Sequence, residues 1–221
     1  MGVKVLFNRN PIELGRKIEQ PSQELIKNTI GLFRASIDDA VKFGGVLTRE
    51  ALQAIQLKNN RKYIITDVKV HMLMPGFWTA IPSWHVDGTP RRSKSEPDIR
   101  LQETERHNIY HFLVTGGGCL TDFIRDPLEL EVPDEPTPKL FNVIDEQVNN
   151  LPDLNGRILV SPSCQVLTWD WWTIHRGVEA KKHEWRYLIR VCETDFQPPN
   201  TNLRDVLRIQ QQIYAPLNFG W

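Results

Sequence analysis

The chain has 221 residues, with Lys plus Arg and Asp plus Glu balanced at 27 each, so no global field points to a nucleic-acid or membrane partner. Its three cysteines, Cys119, Cys164 and Cys192, are odd in number, far apart and outside any C-x-x-C spacing, which argues against a disulfide framework or a zinc knot. The length suits one compact domain whose core can enclose a small-molecule site, so residues 1–221 are read as a single domain.

Residues Met1 to Asn10 mix Lys4, Asn8 and Arg9 into a short apolar segment, unlike a signal peptide, and no later run approaches the roughly 20 apolar residues of a membrane span. A soluble, cytoplasmic protein is expected. Pro21-Ser22 followed by Ile26, Ile30, Phe33, Ile37 and Val41 places apolar residues at steps of three and four, which predicts one helix ended by Gly44-Gly45. Thr48 reads as the N-cap of a second short helix through Ala51, Ile55 and Leu57. Residues 1–60 are thus expected to form an N-terminal helical flank.

From Lys62 the texture changes to short runs of β-formers: Tyr63 to Met72, Phe77 to Val86, Asn108 to Thr115, Cys119 to Ile124, Arg157 to Val160, Gln165 to Thr168, Trp171 to His175 and Glu184 to Glu193. About eight short strands predict a mainly β fold with flanking helices, its core at 62–193 a jelly roll or related double-sheet barrel. Gly116-Gly117-Gly118 reads as a hairpin turn. A phosphate cradle is disfavoured there because no Gly-Lys-Ser/Thr follows. Residues 126–150, rich in proline and acid, read as an insertion over the barrel, with a short helix from Phe141 to Leu151. A last helix is predicted over 202–214, stopped by Pro216.

The chemistry-bearing pattern starts at Ser83-Trp84-His85-Val86-Asp87. Residues two apart on a strand point to one face, so His85 and Asp87 can converge. Chance alone places an H-x-D in about one chain in three of this composition, so the pair needs company. His175 supplies it, ending the aromatic run Leu167-Thr-Trp-Asp-Trp-Trp-Thr-Ile-His175. Two imidazoles and one carboxylate with positions left open form the triad that binds non-haem Fe(II), whereas a structural zinc site would call for four closed ligands. On the strand Glu184 to Val191, Arg186 shares a face with Leu188 and Arg190. A cation pointing into an apolar barrel calls for a carboxylate, and a dicarboxylate co-substrate would supply one.

The order H-x-D, a His about ninety residues on and an Arg eleven later resembles the 2-oxoglutarate/Fe(II) dioxygenases of the double-stranded β-helix (jelly-roll, cupin-like) fold. Within them, Trp84-His85-Val86-Asp87 and the spacing most resemble the phytanoyl-CoA dioxygenase-like branch. The resemblance covers about Lys62 to Glu193. It implies Fe(II) on His85, Asp87 and His175, and 2-oxoglutarate anchored through its distal carboxylate by Arg186, with Arg190 the rival if the register differs. Many relatives carry Ser or Thr two residues after the anchor, where this chain has Leu188, so Tyr110, Thr115 or Thr121 is expected to replace that hydroxyl. His111, sharing a face with Leu113, is a further candidate for lining the co-substrate pocket.

Blander readings stand beside these. His71 and His111 lack a carboxylate two residues away and read as core or pocket-wall histidines. His107 and His183 sit in turns. Trp78, Trp84, Trp169, Trp171 and Trp172 fit a packed core better than a substrate wall. Asp170 reads as a turn cap, and Arg91, Arg92 and Lys94 as a solvated loop. The rival functions are a metal-dependent β-barrel enzyme that does not use 2-oxoglutarate, and a β-barrel binding or structural protein with incidental histidines.

Overall fold

A computed structural model describes residues 2–91 and 96–207. In chain order its elements are β1 (Gly2–Phe7), β2 (Glu13–Lys17), α1 (Gln23–Lys27), β3 (Leu32–Ala35), α2 (Ile37–Phe43), α3 (Gly45–Ala54), β4 (Tyr63–Leu73), α4 (Ile99–Thr104), β5 (Ile109–Val114), β6 (Thr121–Ile124), β7 (Leu128–Pro133), α5 (Leu140–Asn149), α6 (Leu154–Arg157), β8 (Ile158–Val160), β9 (Gln165–Asp170), β10 (His175–Gly177), β11 (Glu184–Thr194) and α7 (Leu203–Val206). The fold is mainly β, with antiparallel sheets and flanking helices. The largest sheet runs β2-β9-β5-β11-β4-β3, a second runs β10-β6-β8, and β1 pairs with β7. Among the described residues no helix is long and apolar enough to cross a membrane.

The long strands β4 and β11 pair without interruption from Glu184 opposite Leu73 to Thr194 opposite Tyr63, and form the middle of the large sheet. Their period-2 alternation divides two cores. Val68, Val70, Leu113, Ile189 and Val191 pack with Ile26, Ala40, Leu47 and Ala51 of the N-terminal helices. The other face carries Ile65, Phe112, Val114 and Trp169, which join Phe123 and Ile124 of the second sheet and Leu140, Ile144 and Val148 of α5. The polar positions Asp67, Lys69 and His71 of β4 lie opposite Arg190, Leu188 and Arg186 of β11.

Several expectations are corrected. The single helix from Ser22 to Val41 is a helix, a strand and a helix. Ser22 caps α1 by accepting from Leu25 N at 3.1 Å, Leu32 and Ala35 pair with Val68 and Thr66 of β4, and Ser36 caps α2 by accepting from Asp39 N at 3.1 Å. The supposed apolar stripe is not buried as one: Ile30 and Val41 are 47% and 43% exposed. Edge pairing to β4 overrides helical spacing here, helped by a second serine cap in mid-segment. The flank 1–60 is therefore not all helical, since it also holds β1, β2 and β3. Thr48 lies inside α3, where its Oγ1 accepts from Tyr187 Oη at 3.3 Å, so it is no N-cap.

Within residues 126–150, β7 pairs with β1 along its whole length, and the short helix expected from Phe141 to Leu151 is α5, which buries one face. Gly116-Gly117-Gly118 links two different sheets and is not a hairpin; Gly116 has φ +93°, and Gly118 N donates to Glu184 Oε1 at 2.6 Å. Phe77 to Val86 is no regular strand; its β-pairing among the described residues is limited to the isolated bridges Trp78 to Glu179 and His85 to His175. Trp171 to Ile174 is a turn and loop that precedes β10. Arg92, Lys94 and the part of the expected 202–214 helix beyond Leu207 lie outside the described residues.

His71 is fully buried with no hydrogen-bond partner on either ring nitrogen among the described residues, and burial followed by the charge of Arg186 pushes its pKa down to about 3. It stays neutral in the fold while the unfolded chain takes up a proton near pH 6.5, so stability falls as pH drops below that value. The expected loss through this residue is about 2 kcal/mol by pH 5. In thermal unfolding followed from pH 7 to pH 5, His71→Leu should show a shallower decline than the wild type; equal slopes would count against this assignment.

Candidate metal centre

The segment bearing His85 and Asp87 is fixed at three points. Trp84, fully buried, donates from its backbone N to Asp145 Oδ1 at 2.6 Å and from its indole to Asn149 Oδ1 at 3.1 Å, which ties the segment to α5. His85 and His175 exchange both backbone hydrogen bonds at 3.0 Å, so the two imidazoles are antiparallel neighbours. Gly88, at φ +76°, then turns the chain where a Cβ would stand 2.3 Å from Tyr110 Oη. Glycine is required there on both counts.

The three side chains converge. One ligand atom from each of His85, Asp87 and His175 lies within 4.8 Å of the others. His85 Nε2 is 3.9 Å from Asp87 Oδ1, and His175 Nε2 is 3.7 Å from Asp87 Oδ2. Bonds of roughly 2.1 Å put neighbouring ligands about 3 Å apart, so small side-chain adjustments close a chelate. The other ring nitrogens are committed: His85 Nδ1 meets Ser83 O at 2.7 Å and His175 Nδ1 meets Thr173 O at 3.0 Å. A carbonyl only accepts, so each Nδ1 carries the proton and each Nε2 keeps its lone pair for a metal. That is the donor set and tautomer a divalent cation requires.

Charge on the site is tuned by Arg190. Its Nη1 donates to Asp87 Oδ2 at 2.7 Å and its Nη2 to Asp67 Oδ2 at 3.1 Å. Burial alone would push the Asp87 carboxyl up; Arg190 and the two histidines outweigh it and hold the group well below the usual carboxylate range. Burial, reinforced by His175, pushes His85 down to about 4 against the pull of Asp87. Both ligands therefore stand in their metal-binding protonation state at neutral pH.

Two cavities flank the triad. One of about 240 Å³ is lined by His85, Asp87, His175, Lys69, Thr121 and Arg190, among others. The second, of about 600 Å³, shares His85, Asp87 and Arg190 and is walled by Ile65, Tyr110, Phe141 and Phe196. Thr121 lines the triad cavity, while Tyr110 lines the larger one, its ring centroid 5.7 Å from the Arg190 guanidinium. Thr115 Oγ1 is taken by Tyr187 N at 3.1 Å.

Two candidates are corrected. His111 does not face the triad, because it alternates with Phe112 on β5; fully buried, it binds Glu193 Oε1 and Thr168 Oγ1 at 2.9 Å each. Arg186 shares the face of Arg190, yet it lines neither cavity. It is 1% exposed, opposite His71, and its Nε donates to Cys119 O at 2.7 Å. The cations at the smaller cavity are Lys69 and Arg190. Lys69 and Asp67 were missed although the sequence carried their signal, a polar residue at every second position of Asp67-Val68-Lys69-Val70-His71. Asp170 caps a turn, accepting from Trp172 N at 2.9 Å, and Trp84, Trp171 and Trp172 are core residues.

Comparison with protein-family models, with curated proteins and with solved structures finds no match for the chain. The functional reading rests on the residues alone.

His85→Ala or His175→Ala is expected to abolish tight Mn(II) binding in a calorimetric titration while leaving the fold intact. Arg190→Lys, which keeps the charge but not the two-carboxylate bridge, should weaken Mn(II) by about 10–100-fold. Unchanged affinity in Arg190→Lys would show that Asp87 needs no such support.

Proposed function

We propose that the chain is a non-haem Fe(II) oxygenase that uses 2-oxoglutarate as co-substrate and hydroxylates a substrate seated in the larger cavity. The observation that carries this reading is the pair of imidazoles with protonated Nδ1 and free Nε2 on either side of one carboxylate, in a site with three protein ligands and cavities beside it. A structural site would be closed by a fourth side chain, and among the described residues no other His, Cys, Asp or Glu joins the group. Iron bound there would couple oxidative decarboxylation of 2-oxoglutarate by dioxygen to hydroxylation of a substrate C–H bond.

Strand order supports a double-stranded β-helix core. Counting the core strands along the chain as β4, the His85 segment, β5, β6, β8, β9, β10 and β11, one sheet has them in the order 6-3-8-1 and the other in the order 2-7-4-5. Each sheet alternates early and late strands, as two interleaved Greek keys do. The resemblance to the phytanoyl-CoA dioxygenase-like branch belongs to the same proposal.

The residues have distinct work in it. His85, Asp87 and His175 hold the metal, the Ser83 and Thr173 carbonyls orient the rings, and Arg190 keeps Asp87 ionised and aimed. Trp169 and Phe123 pack around the His175 ring at 5.9 and 5.6 Å and exclude water from that side.

The enclosed Arg186 favours a second reading, a metal enzyme of the same fold that binds an acidic substrate directly and consumes no 2-oxoglutarate. An anaerobic titration separates the two. Fe(II) followed by 2-oxoglutarate should produce a weak visible absorption that His175→Ala removes, and aerobic turnover should release succinate. Iron binding with no change on adding 2-oxoglutarate would favour the second reading; no binding of any divalent metal would sink both.

A further inference from the structure

The inner face of β4 presents Asp67, Lys69 and His71 against Arg190, Leu188 and Arg186 of β11, so Lys69 stands between the two arginines across the ladder. Three cations thus share one wall with two acids, Asp67 and Asp87, and a bound divalent metal would leave that wall strongly positive. Arg190 is already engaged, and Arg186 in part, its Nη1 being buried with no hydrogen-bond partner among the described residues. Arg190 bridges Asp87 at 2.7 Å and Asp67 at 3.1 Å, and Arg186 turns its Nε onto the Cys119 carbonyl at 2.7 Å. Lys69 differs from both: it lines the cavity of about 240 Å³ with all three triad residues, and its ammonium has no hydrogen bond or ion pair among the described residues.

We propose that Lys69 receives the far carboxylate of the co-substrate and selects a dicarboxylate over a monocarboxylate 2-oxo acid. The inference rests on the 2-oxoglutarate reading above and names the residue that would enforce it. A part-buried ammonium without a partner is costly, and burial, followed by the charge of Arg190, lowers its proton affinity from the ordinary value. An anion entering the cavity removes that cost and forms a charge-assisted hydrogen bond. Lys69 and all three triad residues line this one cavity, so a ligand there meets both. Thr79 and Thr121 line the same cavity.

The test compares 2-oxoglutarate with 2-oxobutyrate, which has the same chelating end and no far carboxylate, by calorimetry on the Mn(II)-loaded full chain. Wild-type protein should bind 2-oxoglutarate at least tenfold more tightly. Lys69→Met should erase that preference by weakening 2-oxoglutarate at least tenfold while 2-oxobutyrate changes less than twofold. Lys69→Arg should retain most of it. Lys69→Met loses only an unpartnered cation, so its ligand-free melting temperature should equal or exceed the wild-type value, which confirms that the variant folds. A preserved preference in Lys69→Met, or equal weakening of both acids, overturns the proposal. Loss of the preference in Arg186→Met but not in Lys69→Met overturns it in favour of Arg186. Wild-type protein that binds Mn(II) but neither acid overturns the 2-oxoglutarate reading, and this inference with it.

Discussion

The two backbone hydrogen bonds exchanged by His85 and His175 are the contact on which the site depends. A reciprocal pair of this kind fixes two residues side by side and leaves little freedom in the direction of their Cβ atoms. The ring centroids lie 4.6 Å apart in consequence, and the strand rule carries Asp87, two residues on, to the same face. Everything around the bridge protects it. Trp84 anchors one strand to α5, Phe123 pairs with His175 on the other side, and Gly88 lets the chain turn away without striking Tyr110. A site in which His175 stands on β10 and the His85 segment is bridged to it and tied to α5 favours preorganisation of the ligands before a metal arrives.

Burial and charge act together on that frame. The His85 imidazole is kept neutral by desolvation, both rings turn Nδ1 to a backbone carbonyl, and one carboxylate is stabilised by a guanidinium already in place. Arg190 also links the triad to β4 through Asp67, whose Oδ1 in turn accepts from Arg34 N at 2.9 Å. The ion-pair chain therefore runs from the site into the edge strand β3. Truncating Arg190 would leave two acids short of a partner, so its contribution lies in what its removal uncovers as much as in the pair itself.

The parts of this arrangement legible in sequence were those with a period-2 signature. The H-x-D pair, the late His175 and most of the core strands follow from alternation and from β-branched content, and the triad forms as read. The misread parts share a cause. Ser22 to Val41 matches helical spacing, but Leu32 and Ala35 gain more from the edge of β4 than from a helix, a tertiary choice no local window reveals. Arg186 was placed on the correct face of β11, yet a strand pattern gives the face and not the depth. The structure sets Arg186 beside Cys119, beyond Leu188, and leaves Lys69 at the cavity. Lys69 and Asp67 are polar interruptions of a strand, a pattern that the valines between them mask.

The central claim is that two imidazole nitrogens and one carboxylate of this chain bind Fe(II) and leave positions open for exogenous ligands. Its most direct test is pulsed electron paramagnetic resonance of the Fe(II) protein treated with nitric oxide, prepared with and without 15N-histidine. The account predicts an S = 3/2 adduct, which requires an open position, with couplings from two histidine nitrogens that shift on labelling and are reduced to one in His85→Ala if iron is retained. A protein that forms no such adduct, or one whose adduct shows no histidine coupling, would contradict it.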